Sequence, residues 1–172
     1  SSEKQSPVYF RTDQQGLIIK DRPLNQPIYS DQEIIAWTQN SLNKIYSINF
    51  KDYQHQLKNA QPLFTPLGFN DYIQKLKDSK NIAAVVANKY TVVTEFSSPL
   101  KVTNKTLINF NGENKFHWIL EGSARQFYLS SENLERPFYQ DLEITVLVGR
   151  KSFYLYENGV GIAIIIVKSL QK

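Results

Sequence analysis

A chain of 172 residues holds one domain with a sizeable core and leaves little room for a second, and 41% hydrophobic with 13% aromatic content argues for packing over disorder. Without a cysteine it has no disulfide framework, no thiol nucleophile and no thiolate metal centre. The +4 net charge and pI near 9.1 would suit an anionic partner, yet no basic run exceeds two residues, so the lysines read as a solvated surface and nucleic acid is not expected as a partner.

The chain opens Ser-Ser-Glu-Lys, with neither an initiator methionine nor a basic-then-apolar leader, as expected of a processed chain or of a piece cut from something longer. Pro23 and Pro27 each fix φ and lack an N–H, so the segment between them reads as extended or turned and a helix begins only beyond it. Ser30 and Glu33 have the spacing of a capping box, in which each side chain accepts from the other residue's backbone N–H. From Asp31 to Tyr46 the apolar residues Ile34, Ile35, Leu42, Ile45 and Tyr46 fall on one side of a helical wheel, with Trp37 and Thr38 at its margins and polar residues opposite. Phe50, Tyr53 and Leu57 recur at helical spacing and predict a second, short helix that stops near Asn59, before Pro62. A third is predicted after Pro66-Leu67-Gly68, with Asn70 or Asp71 as its cap and an apolar stripe of Phe69, Tyr72, Ile73 and Leu76.

Beyond Asp78 the pattern turns to two-residue alternation and β-branched enrichment, predicting a strand over residues 82–96. A second strand, Thr106 to Phe110, meets Asn111-Gly112, a pair suited to turns that need positive φ. In a third, from Lys115 to about Ser130, Phe116, Trp118 and Leu120 alternate with His117, Ile119 and Glu121, and Gly122 is expected to mark a bulge or bend. Leu142, Ile144, Val146 and Val148 share one face of a fourth, over residues 140–150. A second Asn-Gly pair introduces the last, Val160 to Leu170, whose apolar run is far shorter than the roughly 20 residues of a membrane-spanning helix and reads as a buried strand. Three helices followed by four principal strands and an accessory one, without βαβ rhythm, predict an α+β fold with N-terminal helices packed on one face of a curved antiparallel sheet.

Chemistry-bearing patterns are sparse. His55 and His117 stand far apart and neither has a second ligand at metal spacing. The glycines form no phosphate-cradling loop, G-x-S-x-G is absent, and Gly122-Ser123-Ala124-Arg125 lies within a predicted strand instead of on a strand-to-helix elbow. The enzymatic alternative is a cone-shaped domain in which Asp141 or Glu143 projects into an apolar pocket beside tyrosines and shuttles a proton. Both acids alternate with the apolar face of their strand, so solvent is the expected environment, and the concave face should be filled by Trp118, Ile144 and Val146. The many tyrosines and phenylalanines read as core and rim, with some left for a protein-binding surface. Catalytic, cofactor-binding and metal-ligating residues are therefore assigned nowhere. Pro27, Ser30, Trp37, Phe50, Gly68 and Trp118 are taken as structural positions, and the partner surface is left unassigned.

Six stretches, PVYFRTDQQGLIIKDRPLNQP from Pro7, WTQNSLNKIYSINFKDYQHQL from Trp37, FTPLGFNDYI from Phe64, FHWILEGSARQFY from Phe116, and VLVGR and GIAI near the end, carry a resemblance in their order and spacing. Together they resemble the IcmL/DotI family, whose conjugation counterpart is TraM. The resemblance implies a noncatalytic inner-membrane component of a type IVB secretion or conjugation machine, without a cofactor, assembling with itself and with other inner-membrane proteins. It also implies a transmembrane helix absent from this chain, residues 1–22 leading out of that anchor, and one periplasmic domain over 23–172, similar to the nuclear transport factor 2-like and VirB-type scaffold fold. Under that reading Pro23 and Pro27 stiffen the junction between membrane and domain.

Overall fold

The computed structural model describes residues 10–12, 18–20, 22–153 and 158–170. Helix α1 (Asp31–Tyr46) begins at Ser30, whose extended backbone ends the proline segment. The Ser30 N–H donates to Glu33 Oε1 at 3.0 Å and the Glu33 N–H donates to Ser30 Oγ at 3.2 Å, completing the capping box. Helix α2 (Tyr53–Ala60) follows, then a turn of 3₁₀ helix over Gln61–Leu63.

Helix α3 (Pro66–Ser79) starts earlier than its sequence predicts. Thr65 is the cap, with its hydroxyl accepting from the Gly68 N–H at 2.9 Å, and Pro66 takes the first helical position, where a missing N–H leaves nothing unsatisfied. Gly68 is therefore inside the helix and not before it. It is small because α3 lies against the last strand: a Cβ there would collide with the carbonyl oxygen of Ile162.

The strand expected over 82–96 is half helix. Residues Asn81–Ala87 form α4, divided from α3 by Lys80 in the left-handed region (φ 56°) and from the sheet by Lys89 (φ 51°). Its alanines favour helix, and Val85 alone among them is buried, so one packed side chain outweighs the β-branched composition. Strand β3 (Tyr90–Phe96) begins only after Lys89.

The main sheet is antiparallel, with β3, β5 (Glu113–Ser130), β6 (Asn133–Arg150) and β7 (Val160–Leu170) in that order and β4 (Lys101–Phe110) also beside β5. A short hairpin, β1 (Phe10–Thr12) with β2 (Ile18–Lys20), makes a second sheet. Strand β5 is the common partner: it pairs with β4 through Glu121, with β3 from Ala124 onward, and with β6 along nearly its whole length. Gly122 lies at the change of partner. Its pairing with Ile144 is regular, so it marks no bulge, and its missing side chain makes room for Leu100, whose Cδ2 would stand 2.5 Å from a Cβ. The Asn111-Gly112 turn has positive φ at both residues, 52° and 81°.

The helices cover one face of the sheet. Ile34, Leu42 and Ile45 of α1 and Phe64 and Tyr72 meet Trp118, Leu120, Ile144 and Val146, all of them buried. A smaller cluster, Ile48, Val85, Val92 and Tyr128, closes the α4 end. Strand β7 departs from the wholly buried strand expected: Val160 to Ile162 are buried, whereas Ile164, Ile166 and Leu170 are exposed on the face turned from the helices and Val167, on the other face, is exposed where the helical layer no longer covers it.

Candidate interaction surface

The proline segment is fastened to the sheet. The Leu24 carbonyl accepts from the Phe116 N–H of β5 at 2.8 Å, the Pro23 carbonyl from Arg150 Nη1 of β6 at 3.0 Å, and the Tyr29 hydroxyl donates to the Asn158 carbonyl at 2.6 Å. Arg150 is fully buried at the end of β6, with its guanidinium 5.7 Å from the Phe153 ring centre. Sequence reasoning missed it, since a Gly-Arg pair at a strand end looks like surface. Pro27 itself is exposed and acts through its backbone.

The other structural positions lie in the helical layer and the core. Trp37 is half-buried on α1 and its carbonyl accepts from the Ser41 hydroxyl at 2.7 Å. Phe50 packs on the smaller cluster, while residues 48–50 run beside β3, with the Phe50 N–H donating to the Tyr90 carbonyl and the Val92 N–H to the Ile48 carbonyl. Trp118 is fully buried, with Phe116 edge-on to it at 4.8 Å. Ile144 and Val146 are buried beside it on β6, so the concave face is filled by the side chains expected there. Tyr46 and Tyr72 lie in the same layer, where burial pushes both hydroxyls well above their usual pKa and leaves them neutral.

The face of the sheet turned away from the helices carries the polar chemistry. Asp141 and Glu143 are on this face, as expected. Arg125 holds Asp141 with two hydrogen bonds, Nε to Oδ1 at 2.7 Å and Nη2 to Oδ2 at 3.1 Å, and its guanidinium lies 4.2 Å from the Tyr139 ring centre. Asp141 raises the Arg125 pKa through these hydrogen bonds. Phe127 and Tyr139 are neighbours on the same face at 6.3 Å, and Tyr139 and Phe138 are half exposed. Arginine and aromatic side chains clustered this way are the usual anchors of protein interfaces.

A shallow cleft of about 350 Å³ crosses this face over Gly122, between Lys101 and Thr103 on one side and Glu143 and Thr145 on the other. Its carboxylates, Glu121 and Glu143, are solvent-exposed and no tyrosine lines it, so this cleft is not an apolar pocket that holds an acid beside tyrosines. At the far end of the face, His117 is buried over Gly149, with Nδ1 2.9 Å from the Lys115 carbonyl. Burial first, and then the charges of Lys115 and Lys151, hold its pKa below the usual value. Burial beside Lys115 pushes Lys151 down to about 8. Among the described residues no group of three metal-ligating side chains occurs.

The model of the type-IV b secretion system inner-membrane complex component DotI/IcmL matches residues 2–169. The chain belongs to this family. Solved structures share its fold: the periplasmic domain of DotI at 23% identity, covering 84% of this chain and 99% of that one with a TM-score of 0.75, and an IcmL-like type IV secretion system protein from Legionella pneumophila at 18%, covering 84% and 96% with 0.68. A periplasmic fragment of TraM is similar at 15% identity, covering 83% and 100% with 0.71. No curated protein sequence matches the chain. The fold is thus the α+β helix-then-curved-sheet arrangement of the DotI, TraM and VirB8 periplasmic domains, of nuclear transport factor 2-like type. No helix among the described residues is long and apolar enough to cross a membrane.

Proposed function

We propose that this chain is a noncatalytic assembly module of a type IVB secretion or conjugation complex, lying in the periplasm and held at the inner membrane by a helix that precedes it. One observation carries the reading. The inner face of the sheet is filled by Trp118, Ile144 and Val146, all essentially inaccessible, while Arg125 and Tyr139 stand exposed on the other side beside Phe127. Side chains suited to recognition are outside, and the interior holds apolar packing. Family membership supplies the machine in which such a module works.

Confinement to a membrane plane raises the effective concentration of subunits toward the millimolar range, so weak contacts suffice for assembly. The protein should then associate with itself and with other inner-membrane components when anchored. The soluble chain should be largely monomeric at about 10 μM. Light scattering on both forms, with crosslinking of the anchored protein in its native envelope, tests this. An anchored protein that crosslinks to no other component would refute the assembly role, and a soluble chain that stays oligomeric on dilution to nanomolar concentration would refute the part given to the membrane.

A further inference from the structure

Both ends of the sheet expose strand edges, and the protein treats them differently. The β3 edge is covered by residues 48–50. Strand β4 carries Lys101 and Lys105 and an irregular register between Val102 and Asn104, features that discourage strand pairing. On β7 the first half is closed: the Ile162 carbonyl accepts from the Thr65 N–H at 2.9 Å and the Ile165 carbonyl from Lys75 Nζ at 2.9 Å. Past Ile165, no backbone group among the described residues pairs with the outer edge of β7.

The Ile165 carbonyl points away from β6, and backbone direction alternates along an antiparallel strand, so Val167 and Ser169 also present their N–H and C=O groups outward. On the face turned from the helices, Ile166 and Leu170 flank Lys168, and all three are exposed. Lys168 has Glu143 opposite it on β6 and, among the described residues, no strand on its other flank. We propose that the β7 edge from Val167 to Leu170 accepts an extended segment of another polypeptide as an added strand, with an acidic residue opposite Lys168 between two apolar residues facing Ile166 and Leu170. This deepens the assembly reading and rests on it.

Charge and register favour a different chain over a second copy. Antiparallel pairing of two β7 edges through Val167 and Ser169 sets the two Lys168 side chains directly opposite one another, which is repulsive. The register centred on Val167 needs Ile165, whose carbonyl already holds Lys75. The register centred on Ser169 reaches past residue 170 and leaves a short overlap. An acidic, apolar-flanked strand meets none of these obstacles and gains main-chain hydrogen bonds with side-chain selectivity.

The test is an amide NMR titration of the 172-residue chain with the peptide acetyl-Thr-Ile-Thr-Glu-Thr-Ile-Thr-amide. Shifts should concentrate at Val167 and Ser169, and the same peptide with Lys replacing Glu should bind at least about tenfold more weakly. Lys168→Glu should reverse that order. Val167→Pro, which removes only an outward N–H, should abolish binding while the β6 amides stay protected. Equal binding of the two peptides, shifts located elsewhere, or an unchanged order in Lys168→Glu would overturn the proposal, as would sedimentation showing that β7 pairs two copies. If the peptides fail while the anchored protein still crosslinks to its neighbours, the edge is wrong and the assembly reading stands.

Discussion

His117 and Gly149 are cross-strand partners on β5 and β6, and the imidazole occupies the space that a side chain at 149 would fill: a Cβ there would lie 2.6 Å from Nε2. Gly149→Ala should therefore destabilise the protein by roughly 1–3 kcal/mol through overpacking. His117→Ala in the same chain should recover part of that loss, and strictly additive effects in denaturant titrations would show that the ring can move aside.

The same burial makes His117 sensitive to pH. Its folded pKa lies below the ordinary 6.5, so the unfolded chain binds the proton more readily. The stabilising contribution is complete above pH 6.5 and is lost as pH falls through the folded value. NMR titration of the imidazole should give a midpoint under 6.5. A midpoint at or above it would mean that water reaches the ring.

At Gly68 two effects compete. Alanine gains about 1 kcal/mol of helix propensity over glycine, but its Cβ would strike the Ile162 carbonyl of β7, a backbone atom that cannot swing away. Gly68→Ala should lower stability despite the propensity gain, because the collision parts α3 from the sheet. A higher melting temperature would show that α3 can shift outward without loss.

Trp118→Ala should cost roughly 3–5 kcal/mol, the range for removing a large buried aromatic. Trp118→Phe should cost far less, about 1–2 kcal/mol. The indole Nε1 is buried with no acceptor among the described residues, so removing it offsets part of the lost volume. Equal losses for the two substitutions would show that the indole nitrogen is satisfied.

Much of the architecture was legible because its signals are local. Ser30, Glu33 and the wheel of Asp31–Tyr46 needed no tertiary knowledge, and the strand alternation Leu142, Ile144, Val146, Val148 names the face that packs on the helices. The failures have physical causes. Ile82 to Ala87 has strand-like composition, yet the left-handed residues Lys80 and Lys89 bracket it as a helix, and lysine gives no warning of positive φ. The true cap, Thr65, was hidden by the Pro-Leu-Gly that follows it. The final strand looks uniformly apolar, and only its pairing with β6 reveals that Ile164, Ile166 and Leu170 lie on the face away from the helices. Surface pairs such as Arg125 with Asp141 depend on register across two strands, which a single sequence does not disclose.

The attachment of the proline segment has a mechanical consequence. Leu24 is bonded to β5 near its start and Pro23 to β6 near its end, and these two antiparallel strands are the longest in the sheet. Tension arriving along the chain from residue 22 is thus delivered at one extremity of the sheet to two strands at once. Their ladder bonds lie across the strand axes, so force directed along β5 and β6 loads many of them in shear simultaneously, where a pull across the sheet would unzip them one by one. A pull along the chain from residue 22 would therefore meet the sheet in its mechanically stiffer direction.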